Sequence, residues 1–217
     1  MSTISLYTYW RSTAAYRVRI ALNLKGMEYT SVPVHLLRDG GEQKAPAFLA
    51  RNPQGLVPVL SVGEDNISQS LAIVEYLEET TPEPPLLPAD PAGRARVRGL
   101  AMAIACDIHP ICNLRVLKFL TGDMDLSDEQ RSTWIRHWIT EGFRAIETRL
   151  VNDGSTGDFC HGDRPGLADI CLVPQVYNAH RFACPMDPCP TIARINESCL
   201  GLEAFREAVP ENQPDAQ

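Results

Sequence analysis

Two adjacent hydroxyl residues, Ser12 and Thr13, stand where they could support the chemistry of an anion. They follow a short run, Ile4 to Thr8, that predicts a strand, and they precede a run without Gly or Pro that predicts a helix over residues 14–25. Ser and Thr are preferred helix N-caps. Because a helix N-terminus carries unpaired N–H groups and a partial positive charge, a hydroxyl there can help to bind a thiolate, carboxylate or phosphate. Capping alone would also explain Ser12, and the local sequence leaves both interpretations open.

The composition indicates a folded, soluble chain with a moderate negative charge. Its 217 residues are 44% hydrophobic and 22% charged, with a net charge of −7. This length allows one large domain or two small ones. The negative charge argues against a nucleic-acid surface as the main function. The first residues do not show the charged region followed by an apolar core that is typical of a signal peptide. No apolar run approaches about eighteen residues, so we expect a cytoplasmic protein with no membrane span.

Cysteines are numerous but do not form a metal or disulfide pattern. The 7 cysteines are an odd number, none has C-x-x-C spacing, and all lie at position 106 or later. We therefore expect free thiols in a reducing cytosol. Cys106, His109 and Cys112 could be considered as metal ligands, but positions 106 and 112 point to different sides of one helix. We predict no metal site.

The first 80 residues alternate strand and helix signals in the order β-α-β-α-β-β-α, which predicts an α/β unit with a small mixed sheet. Pro33 cannot donate to a ladder, so the second strand is predicted at a sheet edge. The predicted strands cover residues 4–8, 29–35, from Val57 or Pro58 onward, and 66–68, and the predicted helices cover 14–25, 45–51 and 71–79.

Prolines then mark a boundary. Five of them fall within residues 81–91, which predicts a stiff linker at 82–90 between domains at 1–81 and 91–217. Beyond the linker the signals are helical. We predict one long helix over 92–120 that is kinked at Pro110, and further helices near 125–150, 166–182, 190–198 and 202–208. The tail from Pro210 is expected to fray.

Polar residues recur on one face of the predicted long helix. Cys106, His109 and Asn113 are spaced three and four apart, which would let this face line a cleft. His109 could instead bond to a backbone carbonyl left unpaired by Pro110. Arginines such as Arg115 and Arg181 could equally form surface ion pairs.

The whole arrangement resembles the cytosolic glutathione transferase superfamily. The residues that carry the resemblance are the α/β unit, the Pro-rich linker, Val57-Pro58 before a strand and Gln69-Ser70 at a helix start. Two longer motifs are similar to the zeta class, which contains the maleylacetoacetate and maleylpyruvate isomerases. They are Arg11-Ser12 followed by Arg17-Val18-Arg19-Ile20-Ala21-Leu22, and Ala105-Cys106-Asp107-Ile108-His109-Pro110-Ile111 followed by Asn113-Leu114-Arg115.

This resemblance implies an α/β thioredoxin-like N-terminal domain plus an all-α C-terminal domain, a homodimer, glutathione as cosubstrate and a cis peptide bond before Pro58. It also implies roles for individual residues. The catalytic residues would be Ser12, Arg11 and Thr13. Glutathione would be bound by Gln54, Val57, Pro58, Gln69, Ser70, His109 and Asn113. The carboxylates of a dicarboxylate substrate would be bound by Arg11, Arg115 and Arg181.

The chain departs from the family pattern at two positions. Ala14 stands where a cysteine is usual, which excludes a mechanism that needs a protein thiol there but not one that uses the glutathione thiol. Some maleylpyruvate isomerases also lack this cysteine, so the departure favours maleylpyruvate slightly. Gly166 replaces the usual Ser or Thr cap three residues before Asp169.

The leading hypothesis is therefore glutathione-dependent cis–trans isomerisation of a maleyl keto acid. Two alternatives remain open. One is a transferase that joins glutathione to electrophiles such as α-halo acids, which would consume thiol. The other is a binding or regulatory module that keeps the fold without catalysis, and the presence of Ser12 disfavours it.

Overall fold

The computed structural model describes residues 4–217. They form two compact units, one running to Leu86 and including Gly201–Gln217, the other covering Leu87–Leu200. Gly201–Gln217, which were predicted to belong to the helical domain at 91–217, cluster instead with the first unit. Hydrogen bonds hold that segment to the first unit, because Arg19 Nε donates to the Ala208 carbonyl at 3.0 Å and Asn23 Nδ2 donates to the Ala204 carbonyl at 2.9 Å.

The first unit is built on a four-stranded mixed sheet in the order β2-β1-β3-β4. Strand β2 runs parallel to β1, whereas β3 is antiparallel to both β1 and β4. The prediction of β2 as an edge strand is confirmed. The strands are β1 (Ile4–Thr8), β2 (Thr30–Pro33), β3 (Val59–Val62) and β4 (Asp65–Ser68), and the first three helices are α1 (Thr13–Leu24), α2 (Pro46–Leu49) and α3 (Ser70–Thr80).

Apolar residues on the inner faces of the sheet and helices form the core of this unit. Leu6 of β1 faces Leu60 of β3 in register, and both are fully buried. Helix α1 packs against α3, and it contributes Val18 and Ile20 to the same core. The start of α1 is therefore held by burial on the sheet as well as by its own hydrogen bonds.

The second unit is helical. Its helices are α4 (Pro91–Met102), α5 (Leu114–Gly122), α6 (Asp128–Asn152), α7 (Leu167–Arg181) and α8 (Pro190–Leu200), and the short α9 (Glu203–Arg206) follows in the first unit. Ser127 caps α6 with a capping box, because its hydroxyl accepts from Gln130 N while the Gln130 side chain accepts from Ser127 N. The apolar stripes of α6 and α7 supply the buried residues Ile135, Ile139, Ile170 and Leu172.

The single long helix predicted over 92–120 is interrupted. After α4 the backbone is π-helical over Ala103–Ile108, so His109 N–H reaches the Ile104 carbonyl, and it is 3₁₀-helical over Pro110–Cys112. Pro110 has no N–H to continue an α-helical ladder, which explains the break. The apolar periodicity was visible in the sequence, but the change in hydrogen-bond spacing was not. By length and composition alone, Pro91–Gly122 is long and apolar enough to cross a membrane. This is weak evidence for a membrane span, because the core helix of a soluble protein meets the same criterion.

The prediction that the tail from Pro210 frays is wrong. Pro210–Asn212 form a 3₁₀ turn, and Gln213 is buried. The Gln213 side-chain amide donates to the carbonyls of Glu207 and Val209, both at 2.9 Å. Side-chain bonds to backbone thus order a segment that lacks apolar periodicity.

Candidate functional site

Ser12 is the N-cap of α1, as predicted. Its backbone is extended, and its Oγ accepts a hydrogen bond from Ala15 N at 3.2 Å. The hydroxyl oxygen therefore serves the helix, and the hydroxyl proton can be donated to an anion. Since α1 spans 12 residues, its N-terminal field adds to that donor. Capping and anion binding thus use different parts of the same hydroxyl.

The turn before Ser12 is tightly held. Ser12 N–H donates to the Tyr9 carbonyl at 2.9 Å, and Trp10 between them is buried. The Arg11 guanidinium lies 4.1 Å from the centroid of the Trp10 ring, in a cation–π contact. Arg11 is half-buried and directly precedes Ser12. This turn therefore presents a cation and a hydroxyl at adjacent positions.

A second helix start lies at Ser70, the first residue of α3. Ser70 is buried, and its Oγ accepts from Arg17 Nη1 of α1 at 3.2 Å. The preceding Gln69 has a φ of 71° and makes no side-chain cap bond. Its Nε2 instead donates to Gln54 Oε1 at 2.8 Å. The pair therefore joins α3 to α1 and to the loop of Gln54.

The loop that contains Gln54 is organised by Asn52. Asn52 Oδ1 accepts from Gln54 N at 3.1 Å, and its Nδ2 donates to the Leu56 carbonyl at 2.8 Å. The Val57–Pro58 peptide bond that follows is cis, which confirms the expectation from the resemblance. Val57 packs in one buried cluster with Tyr9 and Trp10. The structure thus brings the Val57 loop to the turn that carries Ser12.

Three arginines lie in or next to this part of the first unit. Arg17 and Arg19 of α1 are among the largest fully buried side chains, and Arg11 lies nearby in sequence. The N-termini of α1 and α3 add their own fields. The hydroxyls of Ser12 and Ser70, the amides of Gln54 and Gln69 and the backbone at Val57 complete a set of polar groups that suits an anionic peptide with a thiol. The residues present therefore fit glutathione.

Sequence reasoning missed the two buried arginines as site residues. Arg17 reaches Ser70, while Arg19 donates to Thr8 Oγ1 at 3.2 Å and to the Trp10 carbonyl at 3.0 Å. Both belong to the motif that carried the resemblance, but arginines on a helix are usually exposed. Their spacing of two alone gives no sign of burial. Burial of these arginines could have been inferred from the apolar residues around them, Val18 and Ile20 to Leu22, on a helix with few polar positions.

Thr13 occupies the first position of α1 and is buried. Ala14 follows it and is half-buried. No cysteine lies in this turn, so any thiolate there must come from a ligand. The catalytic role of Thr13 stays a prediction.

The second unit places Asn113 and Arg115 together. Asn113 is the N-cap of α5, and its Oδ1 accepts from Arg115 N at 3.2 Å. Its Nδ2 remains as the group that could donate to a ligand. Arg115 is exposed on the first turn of α5, and His109 is half-buried at the end of the π-helical segment. Their proposed ligand roles stay predictions.

The prediction that Cys106, His109 and Asn113 share one helix face does not hold. It assumed α-helical spacing, whereas Cys106 lies in a π-helical segment and Asn113 has an extended backbone. Arg181 ends α7 in an exposed position, with its guanidinium 5.1 Å from the centroid of the Phe182 ring.

Three of the buried cysteines are poorly suited to act as nucleophiles. Burial raises the pKa of Cys112 to about 12, and burial also raises the pKa of Cys160 and Cys199. These groups stay protonated at neutral pH. Within residues 4–217, no group of three or more His, Cys, Asp or Glu side chains could hold a metal ion.

Known proteins share this arrangement over the whole chain. Residues 6–85 match the family described as "Glutathione S-transferase, N-terminal domain". The chain is 52% identical over 216 residues to a protein of Vibrio cholerae named "Probable maleylacetoacetate isomerase", and the match covers 100% of each chain.

Solved structures give the same picture. A holo structure of a maleyl pyruvate isomerase, described as a bacterial glutathione S-transferase of the Zeta class, superposes with a TM-score of 0.95 at 46% identity and covers 98% of this chain and 100% of that one. The maleylacetoacetate isomerase of Methylobacterium extorquens AM1, solved with bound malonate and glutathione, superposes with a TM-score of 0.94 at 45% identity and covers 98% and 99%.

Proposed function

The chain belongs to the zeta class of the glutathione transferase family, and from this premise we propose that it is a glutathione-dependent cis–trans isomerase of a maleyl keto acid. Its fold is that of the family, an α/β thioredoxin-like N-terminal part with a helical remainder. The substrate would be maleylpyruvate or maleylacetoacetate, and the product the fumaryl isomer. The named relatives at about 50% identity support this activity.

The observation that carries the proposal is the geometry of Ser12. Its Oγ accepts from Ala15 N, which orients the hydroxyl at the start of α1 and leaves its proton for a sulfur anion. A free thiol with a pKa near 8.5 is only a few per cent thiolate at neutral pH. A hydrogen bond and a helix field that lower this pKa by about one to two units raise the thiolate fraction several-fold or more.

We assign the binding of glutathione to the groups assembled in the first unit. Ser70 at the start of α3 would hold the γ-glutamyl carboxylate, and Gln69 would contact the same end through its amide. Arg17 already donates to Ser70 Oγ, so the Ser70 proton can be given to that carboxylate. Val57 would offer backbone groups beside the cis Pro58, and Gln54 would lie next to Gln69. His109 and Asn113 are assigned as further glutathione contacts from their motif positions.

When bound, glutathione would supply a thiolate that adds to the cis double bond and leaves after rotation about the resulting single bond, so that glutathione is used but not consumed. The protein would hold that sulfur in its anionic form through Ser12 and support Ser12 through Thr13. Arg11, Arg115 and Arg181 would bind the two carboxylates of the substrate, because a guanidinium matches a carboxylate in a planar fork. The same charges would stabilise the negative charge that develops on the keto acid.

The setting follows from the family. We infer a homodimer that works in the cytoplasm in the catabolism of aromatic compounds, with no membrane or nucleic-acid partner. Between the two substrates, Ala14 favours maleylpyruvate slightly, since some maleylpyruvate isomerases also lack the cysteine that is usual at this position.

The proposal is tested by following the absorbance of maleylpyruvate, and separately of maleylacetoacetate, with and without glutathione. We expect loss of the maleyl signal only when both protein and glutathione are present. A matched reaction with chloroacetate tests conjugation, which would consume free thiol. Consumption of thiol with chloroacetate and no isomerisation of either maleyl acid would replace the proposal by the transferase function. No glutathione binding at millimolar concentration would favour a binding or regulatory module.

A further inference from the structure

Both backbone polar groups of Trp10 are tied to distant parts of the chain. Its N–H donates to Asp215 Oδ2 at 2.9 Å, across 205 positions of sequence. Its carbonyl accepts from Arg19 Nη2 at 3.0 Å. The Trp10 side chain is only 4% exposed and belongs to the buried cluster with Val57. The residue two positions before Ser12 is thus fixed from both sides.

The segment that supplies Asp215 is itself anchored. Gln213 donates two hydrogen bonds to the carbonyls of Glu207 and Val209. Arg19 Nε donates to the Ala208 carbonyl, so one guanidinium joins the C-terminal segment and Trp10. Ala216 packs against the cluster that contains Trp10. Asp215 therefore reaches Trp10 from a rigid support.

The position of Trp10 determines the position of its neighbours. Ser12 N–H closes the turn on the Tyr9 carbonyl, and the Arg11 guanidinium lies over the Trp10 ring. If Trp10 N–H lost its partner, the turn could shift, and both Ser12 and Arg11 would move with it. Reacting groups must be held to within about 0.5 Å, and a misplacement of about 1 Å can cost about a hundredfold in rate.

The chemistry of the contact also points to the turn. Asp215 Oδ1 is buried and has no hydrogen-bond partner in the part of the chain that the structure describes, so only Oδ2 is used, and it is used on Trp10. A buried carboxylate oxygen without a partner costs free energy. Anchoring of the tail itself is already provided by Gln213. What the carboxylate adds is a charged acceptor for one N–H at the turn before Ser12.

We propose that Asp215 is a positioning residue for catalysis, which acts from the C-terminal segment through Trp10 to place Ser12 and Arg11. This inference rests on the proposed function, since it gives Ser12 the role of hydrogen-bond donor to the glutathione thiolate. Asp215 touches neither substrate nor glutathione in this account. Its contribution is therefore to the rate and to the ionisation of the bound thiol.

The test compares three variants of the full chain. Asp215→Leu removes the acceptor at nearly constant size, Asp215→Asn keeps an acceptor oxygen, and Gln217→Ala changes an exposed residue of the same segment. Each variant is measured for kcat and KM with maleylpyruvate and glutathione. The pKa of bound glutathione is measured from the ultraviolet absorbance of the thiolate over a pH series. If Asp215→Leu does not fold, Asp215→Ala replaces it.

We expect Asp215→Leu to lower kcat about ten- to a hundredfold and to raise the pKa of the bound thiol, with KM for glutathione changed less than threefold. Asp215→Asn should recover most of kcat, and Gln217→Ala should match the wild type. A lower melting temperature for Asp215→Leu with unchanged kcat and thiol pKa would overturn the proposal and leave a structural role. A wild type that never gains thiolate absorbance with glutathione would overturn the proposed function first. If the wild type and Asp215→Leu gain the same thiolate absorbance with glutathione, only the role of Asp215 would be overturned.

Discussion

Replacing Ser12 by alanine should separate hydrogen-bond donation to the thiolate from capping of α1, because the two contributions differ in free energy. The lost donor to a sulfur anion is a charge-assisted hydrogen bond, worth about 1.5–3 kcal/mol. At about 1.4 kcal/mol for each factor of ten, turnover should fall about 10- to 150-fold, and the pKa of bound glutathione should rise by about one to two units. The lost cap is a smaller term, since the bond from Ala15 N to Ser12 Oγ is long at 3.2 Å.

The chain offers a matched control for that cap. Ser127 caps α6 through an Oγ that also accepts at 3.2 Å, from Gln130 N. Ser127→Ala should therefore lower the melting temperature by about 2–4 °C, for a cap worth about 1 kcal/mol, and leave turnover unchanged. Ser12→Gly adds a second comparison, because glycine retains most of the capping preference but has no hydroxyl.

The assay is steady-state turnover of maleylpyruvate, with glutathione affinity measured separately by calorimetry. Ser12→Ala and Ser12→Gly should lose turnover to a similar extent, with glutathione affinity reduced by less than tenfold. Equal losses of turnover and of affinity in Ser12→Ala would refute the role given to the hydroxyl. So would a Ser12→Gly variant with wild-type turnover, since that outcome would make Ser12 only a cap.

Three further predictions concern stability. Gly166→Thr should raise the melting temperature by about 1 °C, for a gain of a few tenths of a kcal/mol at the start of α7, and a lower melting temperature would contradict this. The hydrogen bond from Arg96 lowers the pKa of Asp153 to about 2, so the stability that this carboxylate adds is present above about pH 4 and is lost as the pH falls toward 2. Thermal melts should show Asp153→Asn to be less stable than the wild type at pH 7 and equal to it near pH 2, whereas a constant difference would argue against this pairing. In the buried ion pair of Lys25 and Glu78, Lys25 Nζ lies 2.6 Å from Glu78 Oε2. Lys25→Met would leave the Glu78 carboxylate without its ion-pair partner, so it should lower the free energy of unfolding by about 3–5 kcal/mol in denaturant titrations. A loss below about 1 kcal/mol would contradict this.

Local rules predicted the first unit well. Ser12 has a side chain suited to an N-cap and stands before a periodic apolar run, so the start of α1 could be read from residue types alone. Pro33 marked β2 as an edge strand for a similar local reason. The turn of Gly63, with a φ of 62°, joins the two predicted strands β3 and β4.

Features that depend on contacts across the chain were not predictable in the same way. Periodicity placed a helix over 92–120 but could not show that its hydrogen bonds change spacing before Pro110. Charged residues are expected at the surface, so Arg17 and Arg19 gave no sign of the buried bonds they make to Ser70 and Trp10. Asp215 reaches the turn before Ser12 from the end of the chain, and no local pattern encodes a contact of that separation.

The central claim is that a glutathione thiolate held at Ser12 isomerises the substrate and is released unchanged. The most direct measurement follows one reaction tube by proton NMR, so that the olefinic protons of maleylpyruvate and the cysteinyl protons of glutathione are recorded together. We expect complete conversion to the fumaryl isomer with substoichiometric glutathione and no net loss of the free thiol signal of glutathione. Conversion that stops when the glutathione is exhausted, or that proceeds equally without it, would contradict the account.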